Sequence, residues 1–418
     1  MYFRTGIRIW DSFTPKTILM LFGLKYLLLS TPDTLGMNNR ILINELGNQI
    51  GIQKSLIEYS IVQKKKTMNF TEVLEKWYEK NKRDLPWRRT HDPYCIWVSE
   101  IILQQTRIGQ GWDYYLRFLE KFPDLRTLAE AEEEDVLKLW QGLGYYTRAR
   151  NMHAAAREIM SRHQGRFPET YDELRQLKGI GDYTAAAISS IAYGIPSPVL
   201  DGNVLRLFSR FFGIREPVDT PSGKTAVLEK AKELISLEHP GDFNQAIMEF
   251  GALQCKPAPD CKPCVLRSGC KAFLENCVAE FPVKSKKQGQ RNRYFHYLCI
   301  TTGKGKKRSV FLNKRTGNDI WKNLFDFPLI ETGKAISLKK IQESEEWNNL
   351  FSGIEVTLLK GPKTFRHILT HQIIVAKFYH LELSPHTRLP FLKVAVSDIG
   401  EYPVPRLVEK YLEETVNW

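Results

Sequence analysis

Two glycines and one carboxylate stand at a spacing that suits chemistry on a nucleic acid. Gly179 and Gly181 lie in the string LKGIGDYTAAAI, where they form a tight turn that opens directly into an alanine-rich helix. Such a turn points backbone N–H groups at an anion, and the helix N-terminus adds a partial positive charge. Asp201 follows beyond that helix, in the string LDGNV. The pattern predicts a phosphate-binding turn with an acid beside it; a turn that only caps a helix is the alternative.

A second acid stands on another predicted helix. Glu100 lies among apolar residues in the string SEIILQQT. A poorly hydrated glutamate has a raised pKa and stays protonated near neutral pH, so it can act as a general acid. The alternative is a surface glutamate near a helix N-terminus, where the helix dipole stabilises it.

Four of the seven cysteines crowd into residues 255–270, at Cys255, Cys261, Cys264 and Cys270. The odd total and the clustering argue against a disulfide scaffold and indicate a metal site in a reducing compartment. Four thiolates suit a [4Fe–4S] cluster, and a tetrahedral zinc ion is the physical alternative.

The overall composition agrees with a nucleic-acid partner. The chain of 418 residues carries 60 Lys and Arg against 47 Asp and Glu, a net charge of +13. Such a balance favours a polyanion, of which nucleic acid is the commonest. The length suggests two or three domains.

The first 67 residues differ from the rest of the chain. Their apolar run, residues 18–29, is interrupted by Lys25 and is too short to span a bilayer. No clear signal cleavage site follows it. From Met68 the pattern becomes that of an amphipathic helix, so we predict a weakly structured extension over 1–67 and a true start at Met68. A genuine family-specific extension is the alternative.

Periodicity divides the remainder into two regions. Apolar residues recur at helical spacing throughout 68–280. A basic linker over 281–293 follows, and we expect it to be exposed. Residues 294–418 then show strand-like runs and a final helix, which indicate an α+β domain.

Six strings resemble MutY-type adenine DNA glycosylases, members of the helix-hairpin-helix-Gly/Pro/Asp superfamily. They are RDLPWR, DPYCIWVSEIILQQTR, GLGYYTRARN, LKGIGDYTAAAI, VLDGNVLR and FNQAIMEFGALQC, in family order. The resemblance covers most of residues 68–270. It implies a mainly α catalytic region with a helix-hairpin-helix DNA glycosylase fold and an iron–sulfur loop.

The resemblance gives each acid a role. Glu100 stands where the family has the acid that protonates N7 of the flipped adenine. Asp201 stands where a carboxylate stabilises the positive charge that develops at the sugar C1′, and Asn203 where a partner orients that acid. Glycoside cleavage by two carboxylates needs one neutral and one ionised acid, so we expect environments that separate their pKa values. An N-cap role for Asp201 is compatible with this function.

Tyr183 separates two classes of glycosylase. In endonuclease III the hairpin carries a lysine at this position, which forms a Schiff base and leads to strand cleavage. Tyrosine cannot form that intermediate, and the string DGN stands where endonuclease III has DTH. The resemblance therefore implies a monofunctional enzyme with water as the final nucleophile.

Further residues match positions that contact the flipped base or the DNA stack. A base inside a duplex must be extruded before attack. Gln105 and Tyr145 match the residues that insert into the stack. Trp87, Arg88 and Gln245 match the adenine pocket, although a core position is the usual place for a tryptophan.

The family context favours iron–sulfur over zinc at the four cysteines. One spacing departs from the family: five residues separate Cys255 from Cys261, where six are usual. The implied role is structural, since the cluster would fix a loop that carries Lys256, Lys262 and Arg267 against phosphates.

The C-terminal region resembles the Nudix-like domain of the same family, mainly through the string WKNLFDFP. The glutamate-rich Nudix helix is missing, so pyrophosphatase activity is not expected. Where the family reads 8-oxoguanine with Phe-Ser-His, this chain has Leu369, Thr370 and His371. The hydroxyl and the histidine are kept, and the aromatic residue is not. A hairpin with a polar tip is the alternative.

These observations predict a monofunctional adenine DNA glycosylase that acts on duplex DNA with A:8-oxoguanine or A:G mispairs. We expect a monomer that contains a [4Fe–4S] cluster, with no membrane partner, in the bacterial cytoplasm and associated with the nucleoid. One rival is an endonuclease III-like glycosylase acting on oxidised pyrimidines. Another is a catalytically silent DNA-binding or redox-signalling iron–sulfur protein.

Overall fold

The structure is a computed structural model that describes residues 69–285 and 289–415. The predicted N-terminal extension, with its apolar run, lies outside the described residues. In the described part of the chain, no helix combines the length and the apolar character needed to cross a bilayer.

The first half is helical, as its periodicity predicted. Its helices are α1 Phe70–Asn81, α2 Pro93–Leu103, α3 Ile108–Lys121, α4 Leu125–Glu130, α5 Glu133–Leu139, α6 Thr147–Arg162, α7 Tyr171–Gln176, α8 Asp182–Tyr193, α9 Gly202–Phe212, α10 Pro221–Leu234, α11 Pro240–Leu253 and α12 Lys271–Leu274. Side chains begin several of them: Thr170 and Thr220 each accept a backbone hydrogen bond three residues on. Such caps satisfy N–H groups that the helix itself leaves unpaired.

The second half is built on a mixed sheet with helices on it. Its strands are β1 Arg291–Thr302, β2 Ser309–Lys314, β3 Phe325–Asp326, β4 Leu329–Thr332, β5 Thr357–Ile368, β6 Gln372–Leu383 and β7 Leu392–Ala395. Its helices are α13 Leu338–Gln342, α14 Glu345–Phe351 and α15 Arg406–Glu414. The main strand order is β3-β2-β1-β6-β5, with β4 paired to β1 and β7 to β2. The fold class expected from the sequence is thus confirmed, apart from the iron–sulfur loop.

The strands β1 and β6 are parallel, and their pairing begins with Arg291 opposite Gln372. This register brings the end of the linker and the β5–β6 turn to the same end of the sheet. Arg291 was expected to lie in an exposed linker, and so was Arg293. Arg293 instead forms ion pairs with Asp319 and Glu331, which draw this stretch into the sheet.

The two halves share one apolar core. A continuous cluster of buried side chains runs from Trp140 of the helical half to Val404 and Leu407 of the sheet half. At this junction the buried Tyr146 hydroxyl donates a hydrogen bond to the Val404 carbonyl at 3.1 Å. Lys314 and Glu134 add an ion pair across it at 2.6 Å. The C-terminal half is therefore packed directly on the helical half.

Candidate active site

A cavity of about 570 Å³ opens where four helices of the first half meet. Helix α2, the start of α8, the start of α9 and helix α11 each contribute to its wall. Eight of the residues that the sequence singled out line it: Trp87, Arg88, Glu100, Gln105, Tyr183, Asp201, Asn203 and Gln245. The fold thus brings together residues that are up to 158 positions apart in the chain.

Glu100 lies on a helix that is buried on every side. The run from Ile96 to Ile102 has no exposed member, and Glu100 itself is only 8% exposed. Burial raises the pKa of Glu100 to about 7. A hydrogen bond with Tyr183 opposes this rise, and the charge of Asp201 adds to it. A carboxyl with such a pKa is largely protonated just below neutral pH, as a general acid requires.

Asp201 is the N-cap of α9. Its Oδ1 accepts hydrogen bonds from the backbone N–H groups of Asn203 and Val204, at 2.9 and 2.7 Å. The Asn203 side chain donates to the other oxygen at 2.7 Å. Burial raises the pKa of Asp201, while these three hydrogen bonds favour the ionised form. The cap holds the carboxylate in one orientation at the cavity wall.

Arg206 extends this arrangement to the cysteine-rich loop, and sequence reasoning did not single it out. Its guanidinium donates to the Asn203 side-chain oxygen at 2.9 Å. It also donates to the carbonyls of Gly251 and Cys255, both at 2.7 Å. The side chain that orients Asp201 is therefore hydrogen-bonded to the same guanidinium as the first cysteine of the loop.

Tyr183 lies between the two acids. Its hydroxyl is 3.3 Å from Met248 Sδ and is hydrogen-bonded to Glu100. Burial, and then the charges of Glu100 and Asp201, raise the pKa of Tyr183, so that the hydroxyl stays protonated. No lysine is found among the described residues that line this cavity.

A buried ion cluster that the sequence analysis missed forms another part of the wall. Glu249 is 1% exposed and accepts two-pronged hydrogen bonds from Arg83 and from Arg88. Burial alone would raise the pKa of Glu249, but these hydrogen bonds outweigh it and lower the pKa to about 2. The acid and its partners are more than 160 positions apart, so no local spacing indicates their contact.

Trp87 lines the cavity and also packs into the core. It is 7% exposed and makes edge-to-face contacts with Trp112 and Tyr115. Gln245 accepts a hydrogen bond from the Tyr78 hydroxyl at 3.3 Å. Both side chains are thus held by protein contacts at the cavity wall.

Gln105 and Tyr145 share an unusual backbone conformation, with φ of 56° and 50°. A positive φ is uncommon outside glycine and concentrates at functional sites. Gln105 lines the cavity, whereas Tyr145 lies outside its wall and is 51% exposed. The Tyr145 hydroxyl is 3.4 Å from Thr370 Oγ1 in the C-terminal half. Arg148 lies over the Tyr145 ring and donates to the Gln104 carbonyl at 2.7 Å, which connects the two segments.

The glycine turn lies next to this site without lining the cavity. Gly179 has φ of 82°, and a Cβ there would lie 2.6 Å from Asn151 Cβ. Gly181 is the N-cap of α8 and has open space around it. At position 179, only glycine allows both the positive φ and the close approach to Asn151. The turn leaves the first N–H groups of α8 available to an anion.

The four clustered cysteines line a second, small cavity, together with Arg210 and Leu266. Arg210 is 3.5 Å from Cys255 Sγ and donates to the carbonyls of Lys256 and Pro257. It therefore holds the segment between Cys255 and Cys261. Among the described residues, no group of three or more His, Cys, Asp or Glu is close enough to hold a single metal ion.

The predicted recognition residues form the β5–β6 turn. The Leu369 N–H donates to the Gln372 carbonyl at 2.9 Å, which closes the turn. Leu369 is partly buried against the apolar core, whereas Thr370 and His371 are exposed. Leu369 thus anchors the turn, while Thr370 and His371 face outward.

Comparisons with known proteins agree with this geometry. Residues 98–236 match the model of the HhH-GPD superfamily base excision DNA repair proteins, and residues 296–414 match that of the NUDIX domain. The adenine DNA glycosylase of Buchnera aphidicola subsp. Schizaphis graminum is 31% identical over 82% of this chain and 98% of its own. That of Buchnera aphidicola subsp. Baizongia pistaciae is 36% identical over 63% of this chain and 74% of its own. The human adenine DNA glycosylase is 39% identical over 73% of this chain and 66% of its own.

The relatives are adenine DNA glycosylases, and the alignment with one of them covers 82% of this chain. This chain belongs to the adenine DNA glycosylase family of base excision repair enzymes.

Proposed function

We propose that the protein is a monofunctional glycosylase that hydrolyses the N-glycosidic bond of adenine mispaired with 8-oxoguanine or guanine in duplex DNA. The observation that carries this proposal is the cavity in which Glu100, Asp201 and Tyr183 meet without a lysine. Its volume suits a base that has been extruded from the stack. The product would be an abasic site in an intact strand.

The two acids have complementary tasks in the proposed reaction. Glu100, protonated because of its burial, gives a proton to N7 of the adenine, so that the base leaves as a neutral molecule. Asp201, held ionised by its three hydrogen bonds, stabilises the positive charge that grows at C1′. Asn203 orients this carboxylate. A water molecule then attacks C1′ and gives a proton to the Glu100 carboxylate, which restores the acid.

The surrounding residues position the DNA. Gly179 and Gly181 would bind a phosphate at the start of α8. Gln105 and Tyr145 would occupy the space that the extruded base leaves, and their strained backbones fix the direction of both side chains. Trp87, Arg88 and Gln245 would contact the adenine. Leu369, Thr370 and His371 would read the opposite base from the β5–β6 turn.

We propose further that Cys255, Cys261, Cys264 and Cys270 hold a [4Fe–4S] cluster. Bound there, the cluster would hold in place the loop that carries Lys256, Lys262 and Arg267. Support comes from the small cavity that the four cysteines share. Iron, sulfide and zinc analysis of the purified protein would test the assignment, since four irons are expected and one zinc would refute it.

We divide the chain into a catalytic region at 68–280, a connector that ends before Arg291, and a C-terminal region for recognition of the opposite base. We propose that each molecule acts on DNA as a monomer. We also propose that the enzyme is associated with the nucleoid, because genomic DNA would be its substrate.

The function is tested by base release from duplexes with one adenine opposite 8-oxoguanine, guanine or thymine, and from a thymine glycol duplex. Each product is measured with and without alkali. Adenine loss opposite 8-oxoguanine, with strand breaks only after alkali, is the expected result. Breaks on thymine glycol without alkali would favour an endonuclease III-like enzyme, and no base release at all would favour a silent DNA-binding protein.

A further inference from the structure

The linker ends at a side chain that touches the recognition turn. Gln290 immediately precedes β1, and its side-chain amide donates to the Leu369 carbonyl at 2.7 Å and reaches the Thr370 carbonyl at 3.4 Å. The next residue continues the contact, since the Arg291 backbone N–H donates to the His371 carbonyl at 3.2 Å. All three carbonyls of the turn are thus bonded from the linker side.

These contacts decide which groups of the turn can face a base. With its carbonyls directed at the linker, the turn presents its outward groups, the Thr370 hydroxyl and the His371 imidazole, both of which are exposed. A hydroxyl can donate and accept. Guanine has an acceptor at N7, whereas 8-oxoguanine carries a hydrogen there. When its hydrogen points to the nearby Tyr145 hydroxyl, the Thr370 oxygen presents only an acceptor to the base, and an acceptor held at a fixed place favours 8-oxoguanine over guanine.

The fold leaves few other restraints on this hydroxyl. On one side the Tyr145 hydroxyl lies 3.4 Å away, at the long end of the hydrogen-bond range. On the other side the partly buried Leu369 side chain anchors the turn to the core by apolar contact, which fixes position less sharply than a hydrogen bond does. Backbone hydrogen bonds from Leu369 to Gln372 and from Arg291 to His371 also hold the turn, and the short contact from Gln290 to Leu369 adds a directional restraint from a side chain.

We propose that Gln290 is a positioning residue for mispair specificity: it holds the Leu369–His371 turn so that Thr370 favours 8-oxoguanine over guanine. The proposal rests on the proposed function and adds to it a residue outside the turn itself. Gln290 touches neither the cavity nor its acids, so adenine release opposite guanine should not depend on it.

The test uses the full chain and single-turnover adenine release from A:8-oxoguanine and A:G duplexes. Gln290→Ala removes the donor, and Gln290→Glu keeps the size but sets an acceptor against two carbonyl oxygens. Gln342→Ala, at an exposed glutamine on α13 of the same domain, is the matched control. Because a single hydrogen bond is at stake, both Gln290 variants should lower the ratio of the two rates about threefold to tenfold, through the A:8-oxoguanine rate alone.

The outcomes separate this proposal from the one on which it rests. An unchanged ratio in both Gln290 variants, or an equal loss of both rates, would refute the positioning role and leave the proposed function intact. A wild-type protein without preference for 8-oxoguanine would refute this inference and leave the proposed function intact, whereas no adenine release from either duplex would refute both. An effect of the same size in Gln342→Ala would also overturn the inference.

Discussion

At the scale of single residues, burial and hydrogen bonding treat the two acids of the cavity differently. Glu100 has one hydrogen-bonding neighbour, Tyr183, and its pKa rises to about 7. Asp201 accepts three hydrogen bonds, which favour its charge. Hydrogen bonding therefore offsets little of the rise in pKa that burial causes at Glu100, and more of the rise at Asp201. This difference suits Glu100 as the general acid and Asp201 as the electrostatic stabiliser.

The raised pKa of Glu100 predicts that replacing this residue with an uncharged one stabilises the folded protein. Its folded-state pKa of about 7 lies above the ordinary value of 4.5, so the folded protein holds more protons between these pH values. The free energy of unfolding therefore falls as pH rises through this window. Glu100→Gln should abolish base release, spare DNA binding, and stabilise the protein at pH 8 by up to about 3 kcal/mol.

Chemical denaturation at pH 5 and pH 8 measures this effect. The gain should shrink at pH 5, where the glutamate is protonated in the folded protein. Glu120→Gln, at an exposed position on α3, is the control and should change neither activity nor stability by much. Retained base release in Glu100→Gln would show that the acid has been assigned wrongly.

Tyr183 should tune the pH dependence of the reaction. Since Glu100 must be protonated to act, the single-turnover rate should fall as pH rises through about 7. The hydrogen bond from Tyr183 lowers the pKa of Glu100, so Tyr183→Phe should move this fall to higher pH. Rate profiles between pH 5 and pH 9 measure the shift. A fall at the same pH, or at a lower one, would contradict the role given to the hydroxyl.

At the scale of elements, α9 begins at an acid of the cavity and passes the cysteine-rich loop. Asp201 caps its first turn, Arg206 binds the carbonyl of Cys255 one turn later, and Arg210 approaches its sulfur after another turn. The spacing of four residues places both arginines on one face of the helix. One helix thus connects the geometry of the site to the folding of the loop.

Two substitutions separate the cap function of Asp201 from its catalytic function. Asparagine is a good N-cap, so Asp201→Asn should keep most of the stability, whereas Asp201→Ala should cost about 1 kcal/mol more. Both variants should lose base release, because both lack the charge. Thermal unfolding and single-turnover assays give the two readouts.

The control for this pair is Asp124, the N-cap of α4, which accepts the Thr127 backbone N–H at 2.8 Å. Asp124→Asn and Asp124→Ala should differ in stability as the Asp201 pair does, with base release unchanged. Activity in Asp201→Asn close to that of the wild type would leave the carboxylate as a cap alone.

The element scale also shows where sequence reasoning succeeds. The helices of the first half, their caps at Thr170 and Thr220, and the strands around β1 and β2 follow from local periodicity and local hydrogen bonds. Helices α13 and α14 were not predicted, because they are short and stabilised mainly by packing on the sheet. The linker was predicted to end at residue 293, whereas β1 begins at Arg291. The ion pairs that hold Arg293 in the sheet are made with residues distant in the chain, which local patterns do not indicate.

The same distinction holds for the site. Motifs in family order identified the residues that the cavity brings together, including Glu100 and Asp201. They did not identify Glu249, Arg206 or Gln290, whose long-range contacts span 45 to 166 positions. No spacing rule carries that information, so these residues required the three-dimensional structure.

At the scale of the whole molecule, the shared core makes the two halves one unfolding unit. The apolar cluster that includes Trp140 and Val404 crosses the junction without a break. Calorimetry of the full chain should therefore show a single transition for the described region. Tyr146→Phe should lower its stability by about 1 kcal/mol, since the Val404 carbonyl loses its buried donor.

Tyr193→Phe is the control for this substitution, because its hydroxyl bonds within the helical half, to Phe167 at 3.4 Å. It should leave the coupling between the halves intact. Two well-separated transitions in the wild-type protein would show that the junction is weaker than its contacts indicate.

The ion cluster at Glu249 has a consequence for what the cavity admits. The two guanidiniums of Arg83 and Arg88 are balanced by the carboxylates of Glu249 and Asp201 when Glu100 is protonated, so the lining carries no net charge. Both guanidinium groups already donate paired hydrogen bonds to Glu249, and neither is free to bind a second anion in the same way. A free nucleotide, which brings its own phosphate, gains no counter-charge there, whereas an uncharged heterocycle enters without an electrostatic penalty. The enzyme should accordingly resist inhibition by the cell's pool of adenine nucleotides while it accepts adenine presented by DNA.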